Sequence, residues 1–152
     1  MSVISNLEYL QRLYEIDDYE WLLTNIELLK QKHFDDLDLQ NLIEELEDLG
    51  NEKKNAVESL FQQIIRHLLL YQYWQLEVSR NSGHWQAEIY GFRDQLNTKL
   101  TTNLRKHLTE ERPKIYQRAL GYVQRKTNFQ IDFPEECPYT FEEILNIDYL
   151  PN

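Results

Sequence analysis

With 152 residues, four glycines, four prolines and one cysteine, the chain has the size of one ordinary domain. Its sparse punctuation argues against a many-turned β protein, and these residues hold no second thiol for a disulfide. A formal net charge of −10 weighs against a polyanionic partner, and no stretch approaches the roughly 18 apolar residues of a membrane-spanning helix. Ten tyrosines and three tryptophans supply anchors for a core that needs no covalent staples.

Helical periodicity predicts an all-α fold: a single-domain helical bundle of about five helices over residues 1–152, with an irregular C-terminal segment and a short last helix. The first main segment spans about 17–32. Asp17 and Asp18 suit its N-terminus, and Tyr19, Leu22, Ile26 and Leu29 fall on one face, widened by Trp21 and Leu28. Leu7, Leu10 and Tyr14 suggest a short extra helix before it. The second segment starts after Asp38 and carries one stripe: Leu39, Ile43, Leu46, Val57, Leu60, Ile64, His67, Tyr71 and Trp74. A straight helix over 38–77 would be about 60 Å long, against a diameter of about 40 Å for a compact domain. The expected resolution is a bend or break at Gly50-Asn51, with a protruding arm as the alternative. Asn81-Ser82-Gly83 reads as a turn opening the third helix, whose Trp85, Ile89, Phe92, Leu96 and Leu100 form the cleanest amphipathic stripe. The fourth runs over about 104–127, with Pro113 expected to kink or split it. The tail NFQIDFPEECPY reads as an extended wrap with Phe129, Ile131 and Phe133 as plugs. Thr140-Phe141-Glu142-Glu143 is a capping box for the last helix, packed by Ile144, Leu145 and Leu150.

The charge is uneven. Residues 1–50 hold 13 acids and 3 bases, residues 51–127 hold 7 acids and 13 bases, and residues 128–152 hold 6 acids and no base. Partial neutralisation of the middle by the two acidic arms is the plain expectation. The alternative is an exposed basic face, densest from Lys99 to Lys126, that meets an anion. No nucleic-acid motif supports a nucleic-acid partner, which ranks last. The opening MSVISNLEYLQRLYEIDD lacks the basic start and apolar run of a signal peptide, and the lone Cys137 fits a reducing compartment, so a cytoplasmic location is expected. Cys137 itself reads as a packed thiol rather than a nucleophile.

Several blocks resemble one known family in order along nearly the whole chain. They are Tyr14-Glu15, Asp18-Tyr19 and Trp21-Leu22; Leu37-Asp38-Leu39 with Asn41 through Gly50; His67-Leu68-Leu69 with Gln72-Tyr73; and Phe133-Pro134, Cys137-Pro138-Tyr139-Thr140 and Leu150-Pro151. Together they are similar to the cyanobacterial "domain of unknown function 29" family. The chain departs from it at Leu70, His84 and Thr102-Asn103-Leu104, where the family often has Lys, Ser and a Pro-Ser-Leu turn. The resemblance implies an all-α fold and no particular activity, since the family has no assigned chemistry.

Three places could carry chemistry. The acidic block Glu44, Glu45, Glu47, Asp48 pairs carboxylates at i, i+3, suited to a hard cation or a basic partner, or to a plain solvated helix face. No Glu-x-x-His is present, so the di-iron bundle pattern fails. His67 lies on the apolar stripe, where a hydrogen-bonded core histidine is the ordinary reading. A metal site with Glu44 or Glu47 is the sharper one. Tyr71, Tyr73, Trp74 and Trp85 flank one helical connection, with Arg80, His84 and Arg93 nearby, and form a candidate ligand pocket, with sealing of a bundle end as its plain counterpart. No phosphate-cradling glycine loop, GxSxG, HExxH or CxxC is present. The first reading is therefore a non-catalytic cytosolic interaction or regulatory module. It has no cofactor and no membrane role; its partner is another protein, with a homo-oligomer as a further option. The alternative is a small-ligand or metal-binding helical bundle, enzymatic in its strongest form, centred on His67 and the Trp74/Trp85 region.

Overall fold

The computed structural model describes residues 5–152, which are all-α: six α-helices, one 3-10 turn and no strand among the described residues. They are α1 (Asn6–Ile16), α2 (Asp18–Lys30), α3 (Leu39–Tyr73), α4 (Gln75–Lys99), α5 (Thr102–Lys126) and α6 (Phe141–Leu145), with the 3-10 turn at Phe34–Asp36. No helix among the described residues is long and apolar enough to cross a membrane. The described residues divide into two compact units, 5–52 and 53–152.

In the first unit, Asp17 ends α1 and caps α2, its carboxyl accepting from Glu20 N at 3.0 Å. The expected apolar face of α2 is not the buried one. Tyr19, Leu22, Ile26 and Leu29 are exposed, while Trp21 and Asn25 are buried. The reason is a polar knot. Trp21 Nε1–H donates to Asp38 Oδ2 (2.9 Å), Asn41 Nδ2 to the same oxygen (2.7 Å), Asn25 Nδ2 to Trp21 O (2.8 Å) and Asp38 N to Asn25 Oδ1 (3.2 Å). Orienting α2 to satisfy these buried groups turns its leucines outward. Leu39, Ile43 and Leu46, expected to share the core stripe, are also exposed, at 57%, 54% and 64%.

The expected break at Gly50-Asn51 does not occur, and α3 is continuous through both. Gly50 has no positive φ, and a Cβ there would meet nothing within 4 Å. A helical glycine costs about 1 kcal/mol, which the surrounding turns outweigh. Lys32 takes the left-handed role instead (φ 60°), closing α2 through Lys32 N to Leu29 O and His33 N to Leu28 O.

The second unit carries the main core. Val57, Phe61, Ile64, Ile65, Leu68, Leu69 and Leu70 of α3 pack with Trp85, Ile89 and Leu96 of α4, with Leu108, Ile115, Tyr116, Ala119, Leu120 and Val123 of α5, and with the tail. The expected turn at Asn81-Ser82-Gly83 lies inside α4, and the chain leaves α3 earlier, at Trp74 alone. Asn81 donates along the helix to Glu77 O and Oε2, and Ser82 Oγ accepts from Gln86, so these polar groups serve i, i+4 contacts and not a cap. Pro113 does not split α5 either, because buried Leu108 on one side and Ile115-Tyr116 on the other hold both halves. Past α5, Asn128 and Phe129 are left-handed (φ 53° and 58°) and close the helix by Asn128 N to Arg125 O and Phe129 N to Gln124 O. That closure leaves Phe129 exposed rather than plugged in, whereas Phe133 is buried and Ile131 half-buried. The Thr140/Glu143 capping box forms as expected.

Candidate functional site

The first sequence candidates fall in different units. Glu44, Glu45, Glu47 and Asp48 are all exposed on α3 in the first unit, where Glu45 accepts from the Tyr14 hydroxyl at 2.6 Å, a bond that raises the phenol's pKa. His67 belongs to the second unit. Among the described residues no group of three or more His, Cys, Asp or Glu side chains is placed to hold a metal, so the metal reading gains no support.

Three of the remaining candidates converge. His67 and Leu70 of α3, Trp74 at the connection, Asn81, His84 and Trp85 of α4, and Tyr122 and Lys126 of α5 line a cavity of about 320 Å³. The one-residue link at Trp74 (φ −91°, ψ 67°) lays its indole against Trp85, with ring centroids 6.1 Å apart and planes 20° from parallel. The His67 ring packs on Phe92, and its Nδ1 lies 2.7 Å from Gln63 O. A carbonyl can only accept, so Nδ1 carries the proton and Nε2 the lone pair. Burial pulls the His67 pKa below its ordinary value, against the smaller opposing pull of the Gln63 carbonyl, and the ring is neutral at pH 7. Arg66 stacks 3.8 Å above the Tyr122 ring, and Lys126 Nζ lies 6.0 Å from it. Lys126 has no carboxylate within 4 Å among the described residues.

Tyr71 and Arg93 do not line this cavity. Tyr71 packs against the core. Arg93 is fully buried and clamps the end of α6: Nε donates to Ile144 O (2.8 Å), Nη1 to Tyr149 O (2.7 Å) and Nη2 to Glu143 O (2.9 Å). Burial lowers its pKa to about 10, still leaving it charged at pH 7. Two of these bonds meet carbonyls of the last turn of α6 that have no partner within the helix, and the third meets Tyr149 O, beyond the helix. Periodicity missed Lys126 and Asn81 because one lies in a basic run and the other in a turn-like tripeptide. Only the meeting of α4 and α5 with α3 brings them to His67.

Cys137 is half-buried, with Sγ 3.5 Å from Tyr139 O, and burial raises its thiol pKa, which disfavours the nucleophilic thiolate. The basic run finds acids within its own segment: Glu58 lies 3.4 Å from Arg118 and 3.5 Å from His107, and Glu111 lies 3.8 Å from Lys114.

Against known proteins, the sequence model of the family described as "Domain of unknown function DUF29" matches residues 13–150. No curated protein and no solved structure gives a significant match. Several of the residues that carry this resemblance build the fold: Trp21, Asp38 and Asn41 make the knot, Phe133 and Tyr139 are buried, and Thr140 caps α6.

Proposed function

The chain belongs to the DUF29 family, and we propose that it is a non-catalytic docking module whose N-terminal unit receives a basic amphipathic helix of another protein. The observation that carries this is the exposed apolar residues at helical spacing: Leu22, Ile26 and Leu29 on α2, and Leu39, Ile43, Leu46 and Leu49 on α3. Leucine and isoleucine repeated along helices in this way mark an interaction surface. The partner's charge follows from the setting, because residues 1–50 carry 13 acids against 3 bases. A lysine-rich helix with an apolar stripe would complement both the acids and the leucines, whereas a second copy would bring like charges together. The reading includes a cytosolic setting in a cyanobacterium, supported by the single cysteine and the family resemblance.

The test uses the whole chain and a labelled 18-residue Leu/Lys amphipathic peptide, followed by fluorescence anisotropy. A peptide of the same composition with its stripe scrambled is the control. Saturable binding of the amphipathic peptide, at least about tenfold tighter than the scrambled one and weakened by Ile26→Glu or Ile43→Glu, is expected. Equal affinity for the two peptides would reduce the interaction to bulk charge and defeat the reading. A stable homodimer in light scattering, dispersed by the same substitutions, would assign the face to self-association instead.

A further inference from the structure

We propose that the cavity between α3, α4 and α5 is a binding site for a small planar aromatic acid that carries a ring N–H, indole carboxylates being the simplest of the class. The inference is independent of the docking reading, since it uses only residues of the second unit.

Size sets the first limit. About 320 Å³ lies at the lower end of the roughly 300–1,000 Å³ typical of small-molecule sites, which suits one or two fused rings. The walls set the second. The Trp74–Trp85 pair, Tyr122 and Leu70 offer flat aromatic and apolar surface, which favours a planar body over a branched or heavily hydroxylated one. Polar groups fix orientation. His67 presents a lone pair at Nε2, because Nδ1–H is committed to Gln63 O, and a neutral acceptor inside an aromatic cavity selects a ligand N–H. Lys126 supplies a positive charge with no carboxylate within 4 Å among the described residues, and an acid group on the ligand would complete it. Of the acids nearby, Glu77 holds the Asn81 amide at 3.1 Å and Glu88 acts on His67 from a distance. Neither pairs with Lys126.

The three tryptophans make the test direct. In the ¹⁵N-labelled chain, the indole N–H signals of Trp74 and Trp85 report on the cavity. Trp21, in the other unit and hydrogen-bonded to Asp38, is the internal control. Indole-3-carboxylate should shift the Trp74 and Trp85 signals to saturation and leave Trp21 unmoved. Neutral 3-methylindole should bind about tenfold more weakly, and Lys126→Met should weaken indole-3-carboxylate by a similar factor. His67→Phe should remove the preference for indole-3-carboxylate over its N-methylated analogue. Lys126 is exposed, so its substitution leaves the fold intact, as the same spectra will show. Absence of saturable shifts, equal binding of the charged and neutral indoles, or a parallel shift of Trp21 would each overturn the proposal.

Discussion

The two compact units bury different kinds of group. In residues 5–52 the buried hydrophobic residues are Leu10, Trp21 and Leu37, and beside them lie fully buried Asn25 and Asp38, while most leucines and isoleucines of α2 and the first turns of α3 stay exposed. In residues 53–152 a continuous apolar cluster runs through α3, α4, α5 and the tail, and buried Arg93 closes α6 onto α4. The first unit is held by directional bonds around Asp38, the second by packing. Directional bonds specify one geometry but supply little surplus stability once desolvation is counted, whereas apolar burial adds up with area. The unit that keeps its aliphatic side chains outside is therefore the one that would gain most from the docking proposed above.

The sharpest way to break this comparison is a pair of truncations. Phe61→Ala in the second unit should cost about 3–5 kcal/mol, whereas Leu46→Ala in the first should stay within about 0.5 kcal/mol; denaturant unfolding measures both. Similar costs at the two positions would mean that the exposed leucines are packed in solution. Next in size, Asp38→Ala strands the Trp21 and Asn41 donors and should cost about 2–3 kcal/mol. Hydrogen exchange should place that loss in residues 5–52 and leave the α4–α5 amides protected. Protection lost evenly over both units would show that the knot supports more than its own unit.

A smaller pair concerns backbone conformation. Gly50 is helical and Lys32 left-handed, so Gly50→Ala and Lys32→Gly should each raise stability by about 1 kcal/mol, read as a higher melting temperature. A loss at Gly50→Ala would reveal a bend in α3 that needs glycine. The smallest effect is pH-dependent. Burial holds the His67 pKa below the ordinary 6.5, so the unfolded chain binds its proton first as pH falls. The stability due to neutral His67 is fully present above about pH 6.5 and is lost below it as pH falls toward the folded-state pKa. Subtracting the profile of His67→Gln from that of the wild type should isolate this decline, and identical profiles would mean that the ring is solvated. His67→Leu should be tolerated, because its one bond is to a carbonyl of its own helix.

Much of the fold was legible in the residues. The steps of Trp85, Ile89 and Leu96 marked the buried face of α4, Asp17 marked the start of α2, and the Thr140/Glu143 box marked α6, because each is a local rule acting within one or two turns. Periodicity failed where polar groups competed with it. On α2 the Trp21–Asp38–Asn25 knot outranked the leucine stripe, and in α4 Asn81 and Ser82 spent their hydrogen bonds along the helix instead of opening it. Of the cavity, Trp74 and Trp85 were readable as aromatic neighbours of one connection and His67 as a polar group on the apolar stripe before it. Lys126 and Tyr122 were not, because they enter from α5, far along the chain.

The sequence by itself determined the helical class, the acidic N-terminal segment and the family, since composition, periodicity and ordered motifs are properties of the chain alone. Only the tertiary structure decided which apolar faces are buried, that Arg93 clamps α6 and that a neutral His67 and Lys126 share one aromatic cavity. Burial and hydrogen-bond partnership are settled by what lies opposite a side chain, and residues far apart in sequence supply that opposite side.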